Sequence, residues 1–101
     1  MRLKNKVAII TGGGGDIGRA IALRFSEEGA QVLVADISKE AGQETVEMIN
    51  NRGGKAVFHR TDMTKQDEVQ ALIEKALDTF QRIDIVCNNA GVNSEEKKHF
   101  K

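Results

Sequence analysis

Residues 11–18, TGGGGDIG, constrain this chain more than any other stretch. An apolar run, Val7-Ala8-Ile9-Ile10, precedes them. A helical pattern follows, with Ile17, Ile21 and Phe25 four apart on one face and Ala20 beside them. Strand, glycine turn and helix in that order open a nucleotide-binding βαβ unit. Residues without a Cβ let the backbone turn sharply and let a pyrophosphate come close to the helix N-terminus, where unbonded N–H groups can hold it. The glycines fit two frames. Gly13-x-Gly15-x-x-Gly18 matches the general dinucleotide fingerprint, and Thr11-Gly12-x-x-x-Asp16-x-Gly18 matches a looser TGxxxGxG turn with Asp16 in place of its second glycine.

The rest of the chain alternates. Residues 6–11 read as a first strand and residues 17 to about 28 as a first helix, stopped by Gly29. QVLVAD, 31–36, is an apolar second strand suited to burial on both faces. Ser38 is placed to cap a second helix with Ala41, Thr45, Met48 and Ile49 on one stripe, and Gly53-Gly54 stops it. Residues 55–60 form a third strand. Thr64-Lys65-Gln66-Asp67 reads as a capping box, in which Thr and Asp satisfy backbone N–H groups reciprocally. The third helix, 65–80, has the clearest period, carried by Val69, Leu72, Ile73, Ala76, Leu77 and Phe80. Residues 83–87 form a fourth strand, followed by Asn88-Asn89-Ala90-Gly91 and a charged tail, 93–101, expected to be disordered.

This βαβαβαβ order predicts an α/β fold, a partial doubly wound sheet of four parallel strands ordered 3-2-1-4. The first two helices fall on one face and the third on the other. Residues 1–92 then make a half-domain whose ligands bind beyond the strand C-termini, at the reversal between strands one and four. The glycine turn, Asp36, Asp62 and Asn89 converge there.

Asp36 ends the second strand. A carboxylate there accepts hydrogen bonds from both ribose hydroxyls of an adenosine and repels a 2′-phosphate, which favours NAD over NADP. A solvated strand-end aspartate is the alternative. Asp62, with Met63 beside it, is placed to accept from an adenine amino group, or else simply shapes the turn before Thr64. The small residues of Asn89-Ala90-Gly91 leave room for a ribose, or form a plain turn.

Other functions find little support. Fifteen acidic and fifteen basic residues balance, which gives no electrostatic case for nucleic acid or an anionic membrane surface. No apolar run approaches the roughly 20 residues of a membrane span. Cys87, the only cysteine, cannot build an internal disulfide and is expected to pack, in keeping with a cytoplasmic protein. One Cys and two scattered His supply no metal ligand set.

TGGGGDIGRAIA, VLVADIS, TDMT and IDIVCNNAG, in this order and spacing, resemble the cofactor half of the short-chain dehydrogenases/reductases over residues 3 to 92. The resemblance implies a Rossmann fold binding NAD and a family chemistry of hydride exchange between nicotinamide and an alcohol or ketone. By position, Gly12, Gly18 and the turn between them (Gly14, Gly15, Asp16, Ile17) would hold the pyrophosphate. Asp36 and Ile37 would meet the adenosine ribose, Asp62 and Met63 the adenine, and Asn89, Ala90 and Gly91 the region toward the nicotinamide. Asp16 departs from the family glycine, so its carboxylate is expected to point away from a pyrophosphate or to bond backbone N–H groups.

The family's catalytic set, a helix asparagine, a serine and a Tyr-x-x-x-Lys pair, lies beyond Asn-Asn-Ala-Gly, and the 101 residues contain no tyrosine. No catalytic residue is therefore assigned. The leading expectation is an NAD-binding half of such an enzyme that is inactive alone. Two others stand beside it. One is an interaction or complementation module, pairing with a second chain or a second copy through strand 83–87 and helix 65–80. The other is a gene remnant without activity.

Overall fold

The computed structural model describes residues 2–89. Its elements are β1 (Val7–Thr11), α1 (Asp16–Glu27), β2 (Gln31–Asp36), α2 (Lys39–Asn51), β3 (Lys55–Arg60), α3 (Gln66–Phe80) and β4 (Ile85–Asn88). The four strands form one parallel sheet in the order β3-β2-β1-β4, as the alternation predicts. β1 is central and every one of its residues is buried, which is why it reads as an unbroken apolar run.

Alternate residues of β1 serve opposite faces. Ala8 and Ile10 pack with Val32, Val34, Ala22, Val46 and Ile49 under α1 and α2. Ile9 packs with Leu33, Ala35, Leu72 and Ala76 under α3. Ile9, Ile10, Leu33, Ile49 and Leu72 are fully buried, and each contributes about 1.5–3 kcal/mol by leaving water. The expected placement of the helices on the two faces is thus found. Cys87 is a free, half-buried thiol packed against the α1/α2 cluster.

Several local expectations need correction. Ile17 does not join the core stripe of α1. It is 63% exposed, Ala20 is exposed too, and Gly18 and Ala22 take the buried positions. On α2, Ser38 caps as expected, its hydroxyl accepting from the Ala41 N–H at 3.2 Å, but Gly42 and Val46 are buried beside Thr45 and Ile49 while Met48 is only half-buried. The capping box at Thr64 does not form. α3 starts one residue later than the box requires, with Lys65 as its N-cap and no side-chain bond, while the Thr64 hydroxyl donates to Asp62 Oδ1 at 2.6 Å. Glu68 reaches back past the cap and accepts the Asp62 N–H at 2.7 Å.

β4 begins at Ile85, not at residue 83. The Asp84 side chain takes a place in the strand's edge: its Oδ2 accepts the Val7 N–H at 2.8 Å, while its own N–H donates to the Val7 carbonyl at 2.9 Å. Ile83 packs under α3 instead. Residues 90–101, including the expected tail, lie outside the described residues.

The Asp84 contact makes a pH prediction. Hydrogen bonds from Arg82 and the Val7 N–H hold its carboxyl below the usual aspartate range. A depressed folded-state pKa contributes stability that is fully present above the unfolded pKa and is lost as pH falls through the folded value. Denaturation midpoints should therefore hold steady from neutrality to about pH 5 and fall below about pH 4. Asp84→Ala should be less stable at pH 7 and show a shallower acid decline, measured by urea titration at each pH.

Candidate functional site

β1 delivers the chain into the glycine turn at the C-terminal edge of the sheet. Gly12 follows Thr11 with φ +66°, a left-handed conformation that L side chains rarely adopt. Its carbonyl then accepts the Gly15 N–H at 3.1 Å, closing the turn. The Gly13 N–H donates to the Ala35 carbonyl at 3.2 Å, so the turn hangs from the end of β2. α1 starts with Gly15 as N-cap, and the first helical hydrogen bond runs from the Arg19 N–H to the Gly15 carbonyl at 2.8 Å. The N–H groups of Asp16, Ile17 and Gly18 have no partner among the described residues, the arrangement a helix N-terminus offers to an anion.

Gly18 faces back into this turn. A Cβ there would fall on the Gly12 carbonyl and lie 2.7 Å from its carbon and 2.9 Å from Gly13 Cα. Gly15 has the opposite surroundings, with nothing nearer than 3.6 Å.

Asp36 closes the far side. Its Oδ2 accepts the Gly14 N–H at 2.9 Å and its Oδ1 the Ser38 N–H at 2.8 Å. The carboxylate thereby joins the glycine turn, the end of β2 and the start of α2, and each oxygen keeps a lone pair for a ligand hydroxyl. Asp62 serves its own turn: Oδ1 accepts from both the N–H and the hydroxyl of Thr64, and these bonds hold its carboxyl below the usual range.

On the β4 side, Thr11 ties the strand ends together. Its hydroxyl donates to Asn88 Oδ1 at 2.9 Å and accepts the Asn89 N–H at 3.0 Å. Asn89 Nδ2 is buried and has no partner among the described residues. Such a donor costs about 1–3 kcal/mol unless something outside these residues accepts from it.

These residues line two adjoining clefts. One of about 390 Å³ is bounded by Gly12, Gly15, Asp36, Ile37, Thr61, Asp62, Met63, Thr64 and Asn89. The other, of about 220 Å³, is bounded by Gly12, Gly15, Asp16, Ile17, Gly18 and Asn89. Gly12, Gly15 and Asn89 belong to both, so the two make one groove across the strand ends. Of the residues singled out in the sequence, Gly14 sits just behind this groove, bonded to Asp36. Ala90 and Gly91 lie outside the described residues. Ile37 and Ile17, both more than half exposed, form rims of the groove, which explains why Ile17 does not enter the core.

Among the described residues, three carboxylates and no cationic side chain line the groove. Of the described groups, backbone N–H donors and the α1 dipole are the ones that would hold phosphates here. Asp16 makes no hydrogen bond to a backbone N–H among the described residues, so one of its two expected accommodations is not adopted. Asp16→Asn removes a negative charge from this end of the groove. It should tighten binding of a pyrophosphate ligand about threefold, with the gain shrinking in high salt, and should weaken α1 by about 0.3–1 kcal/mol. Calorimetric titration at two ionic strengths checks it.

Two contributors have no signature in the sequence. Thr45 fits its place on the stripe of α2, yet it is wholly buried and its hydroxyl donates to the Gly13 carbonyl at 2.7 Å. Arg19, next to Gly18, reaches across to α2. Partners 26 and 32 positions apart in sequence leave no local pattern to read.

Comparison with known proteins agrees with this geometry. The family model described as short chain dehydrogenase matches residues 6–101. An uncharacterized oxidoreductase of Thermotoga maritima is 45% identical over 92 residues, covering 91% of this chain and 36% of its own length. A crystal structure of a short-chain dehydrogenase/reductase from Burkholderia phymatum in complex with NAD superposes with a TM-score of 0.82 at 32% identity, covering 85% of this chain and 31% of that one. A 7α-hydroxysteroid dehydrogenase complexed with NADH and 7-oxo glycochenodeoxycholic acid superposes with a TM-score of 0.83 at 41% identity, covering 84% and 33%. The chain spans about a third of the length of the proteins it matches. With a Rossmann-type sheet in the order 3-2-1-4, a glycine turn opening α1 and a match over nearly all of its residues, the chain belongs to the short-chain dehydrogenase family.

Proposed function

We propose that this chain binds NAD in the groove across its strand ends, in preference to NADP, as the cofactor-holding part of an oxidoreductase. The observation that carries the reading is the pairing of three N–H groups without a partner among the described residues, at Asp16, Ile17 and Gly18, with the Asp36 carboxylate at the other end of one groove. That is the donor and acceptor set of a pyrophosphate and an adenosine ribose, in the right order. The buried side-chain amide of Asn89, without a partner among the described residues, supplies a further donor on the β4 side. Ile37 and Met63 give apolar walls for the adenine, with Asp62 at its edge. Ala90 and Gly91 would follow toward the nicotinamide.

When bound, NAD supplies hydride transfer to or from an alcohol or ketone carbon. The proton that must move with it is not handled by these residues, since the sequence has no tyrosine to pair with a lysine. These 101 residues therefore supply cofactor binding without a proton-transfer pair of this kind. The lone cysteine, unpaired, fits a cytoplasmic setting.

Calorimetric titration of the purified chain with NAD and NADP tests this. NAD should bind, and NADP at least about tenfold more weakly, because its extra phosphate meets Asp36 without a cation among the lining residues. Equal affinity for both overturns the preference. No binding by a folded chain overturns the reading and leaves the motifs idle, and alcohol oxidation by the chain alone overturns its inactivity.

A second reading has its own observation. Val86 of β4 and Leu77 of α3 are 56% and 45% exposed. Val86 lies in register with Ile9, whose side packs under α3. Exposed apolar side chains on strand 83–87 and helix 65–80 favour pairing with a second chain or a second copy. Sedimentation velocity that stays monomeric as concentration rises would exclude the second copy.

A further inference from the structure

We infer that Arg19 and Thr45 are positioning residues for the glycine turn, holding it from behind in the shape that binds pyrophosphate. The inference rests on the cofactor reading above and goes beyond it to two residues outside the groove. Gly13 is buried and must satisfy both of its backbone groups. Its N–H goes to the Ala35 carbonyl, and its carbonyl accepts the Thr45 hydroxyl at 2.7 Å. The turn is thus gripped by β2 on one side and α2 on the other.

Arg19 decides where the Thr45 proton points. A guanidinium only donates, so at 2.9 Å its Nε makes the Thr45 oxygen an acceptor. The hydroxyl has one proton left, and it has two acceptors in reach: the Gly13 carbonyl at 2.7 Å and the Ala41 carbonyl at 3.4 Å. The shorter bond takes it. Arg19 is itself fixed on α2, through the Ala41 carbonyl at 3.2 Å and Glu44 Oε1 at 2.7 Å. Arg19 thus donates to Glu44 on one side and to Thr45 on the other, and Thr45 passes its own proton to the Gly13 carbonyl.

Packing makes the same connection. A Cβ on Gly14 would lie 2.6 Å from Ala41 Cβ and 2.9 Å from the Gly42 nitrogen, so the first turn of α2 presses directly on the loop. Arg19 belongs to α1, whose first N–H groups face the groove, and it holds that helix end at a fixed distance from α2. The donors that would meet a pyrophosphate are therefore aimed by contacts on the opposite side of the backbone. Such prior ordering lowers the entropy lost on binding.

The test compares Thr45→Val, Thr45→Ser and Arg19→Met with the natural chain. ADP-ribose, which carries the pyrophosphate, is titrated by calorimetry, and adenosine, which does not, by nuclear magnetic resonance. Amide hydrogen exchange of residues 12–18 is followed without ligand. Thr45→Val should weaken ADP-ribose about tenfold while adenosine changes less than about twofold, and Thr45→Ser should restore binding. Arg19→Met should weaken ADP-ribose about threefold and add little to Thr45→Val in the double variant. Exchange at residues 12–15 should quicken in Thr45→Val and not in Thr45→Ser.

Unchanged ADP-ribose affinity in Thr45→Val overturns the inference, as does an equal loss for adenosine, which would mark a general loss of fold. If the natural chain fails to bind ADP-ribose, the cofactor reading falls. The exchange measurement then decides this one, and unaltered protection in Thr45→Val overturns it.

Discussion

Gly18→Ala should abolish NAD binding and cost the fold about 1–3 kcal/mol, whereas Gly15→Ala three residues earlier should leave binding in place and cost only about 0.5–1 kcal/mol through a poorer N-cap. The contrast comes from what each new methyl would meet. At Gly18 it runs into the Gly12 carbonyl and the Gly13 backbone, which have no flexible end to swing aside. Relief requires α1 to move outward or the turn to open. Either shift takes the N–H groups of Asp16, Ile17 and Gly18 away from the proposed pyrophosphate position, and an affinity loss beyond about a hundredfold is expected. At Gly15 the nearest atom is 3.6 Å away and the backbone is extended, with φ −80°. Gly15→Ser should even stabilise α1 by a few tenths of a kcal/mol, because this N-cap has no side-chain bond. Thermal melting and NAD titration of the three variants separate the effects. Retained binding in Gly18→Ala would show that the turn is not the pyrophosphate site.

Asp36→Ala carries the second large effect, and it acts on stability and on cofactor choice together. The side chain removed accepts two backbone N–H groups, from Gly14 and Ser38. Charge-assisted bonds of this kind contribute about 1.5–3 kcal/mol when sheltered, less at a half-exposed residue such as this one, so a net loss of about 1–2 kcal/mol is expected. NAD affinity should fall about a hundredfold, through loss of the ribose acceptor and loosening of Gly14. NADP affinity should fall far less, since the carboxylate that repels its 2′-phosphate is gone, and the preference between the two should shrink toward unity. Asp36→Asn should fall between. If Asp36→Ala still favours NAD about tenfold, discrimination resides elsewhere in the groove.

Much of the architecture was legible in the residues because burial writes a period. β1 is apolar throughout because both its faces are covered, and α3 shows its stripe because Leu72 and Ala76 sit on the sheet. What escaped reading depends on side chains that bond across distance. Asp84 substitutes for a strand residue through a contact 77 positions away, so the apolar pattern overstates β4. Thr64 has the composition of a helix cap, but the helix starts one residue later, at a Lys65 N-cap, and Thr64 joins the Asp62 turn. Ile17 has helical spacing to Ile21 and Phe25, yet the first turn of α1 overhangs the groove, where no core exists to bury it. In the site, the glycine spacing and the strand-end aspartates were readable as a set. The grip of Thr45 on Gly13 was not, since a buried threonine on an amphipathic helix looks the same whether or not its hydroxyl has a task.

The central position of β1 also has a consequence in time. One of its edges is filled by β2, whose first paired residue, Gln31, follows soon after Val7 in the chain. The other edge waits for Ile85, the partner of Ala8. During synthesis this buried strand therefore emerges with one open edge and keeps it until residue 85 has been made. Closing so long a loop is entropically slow and lends the pair a late place in folding. In that interval β1 is the segment a chaperone would be expected to shield, and the one from which nascent chains would stick to one another.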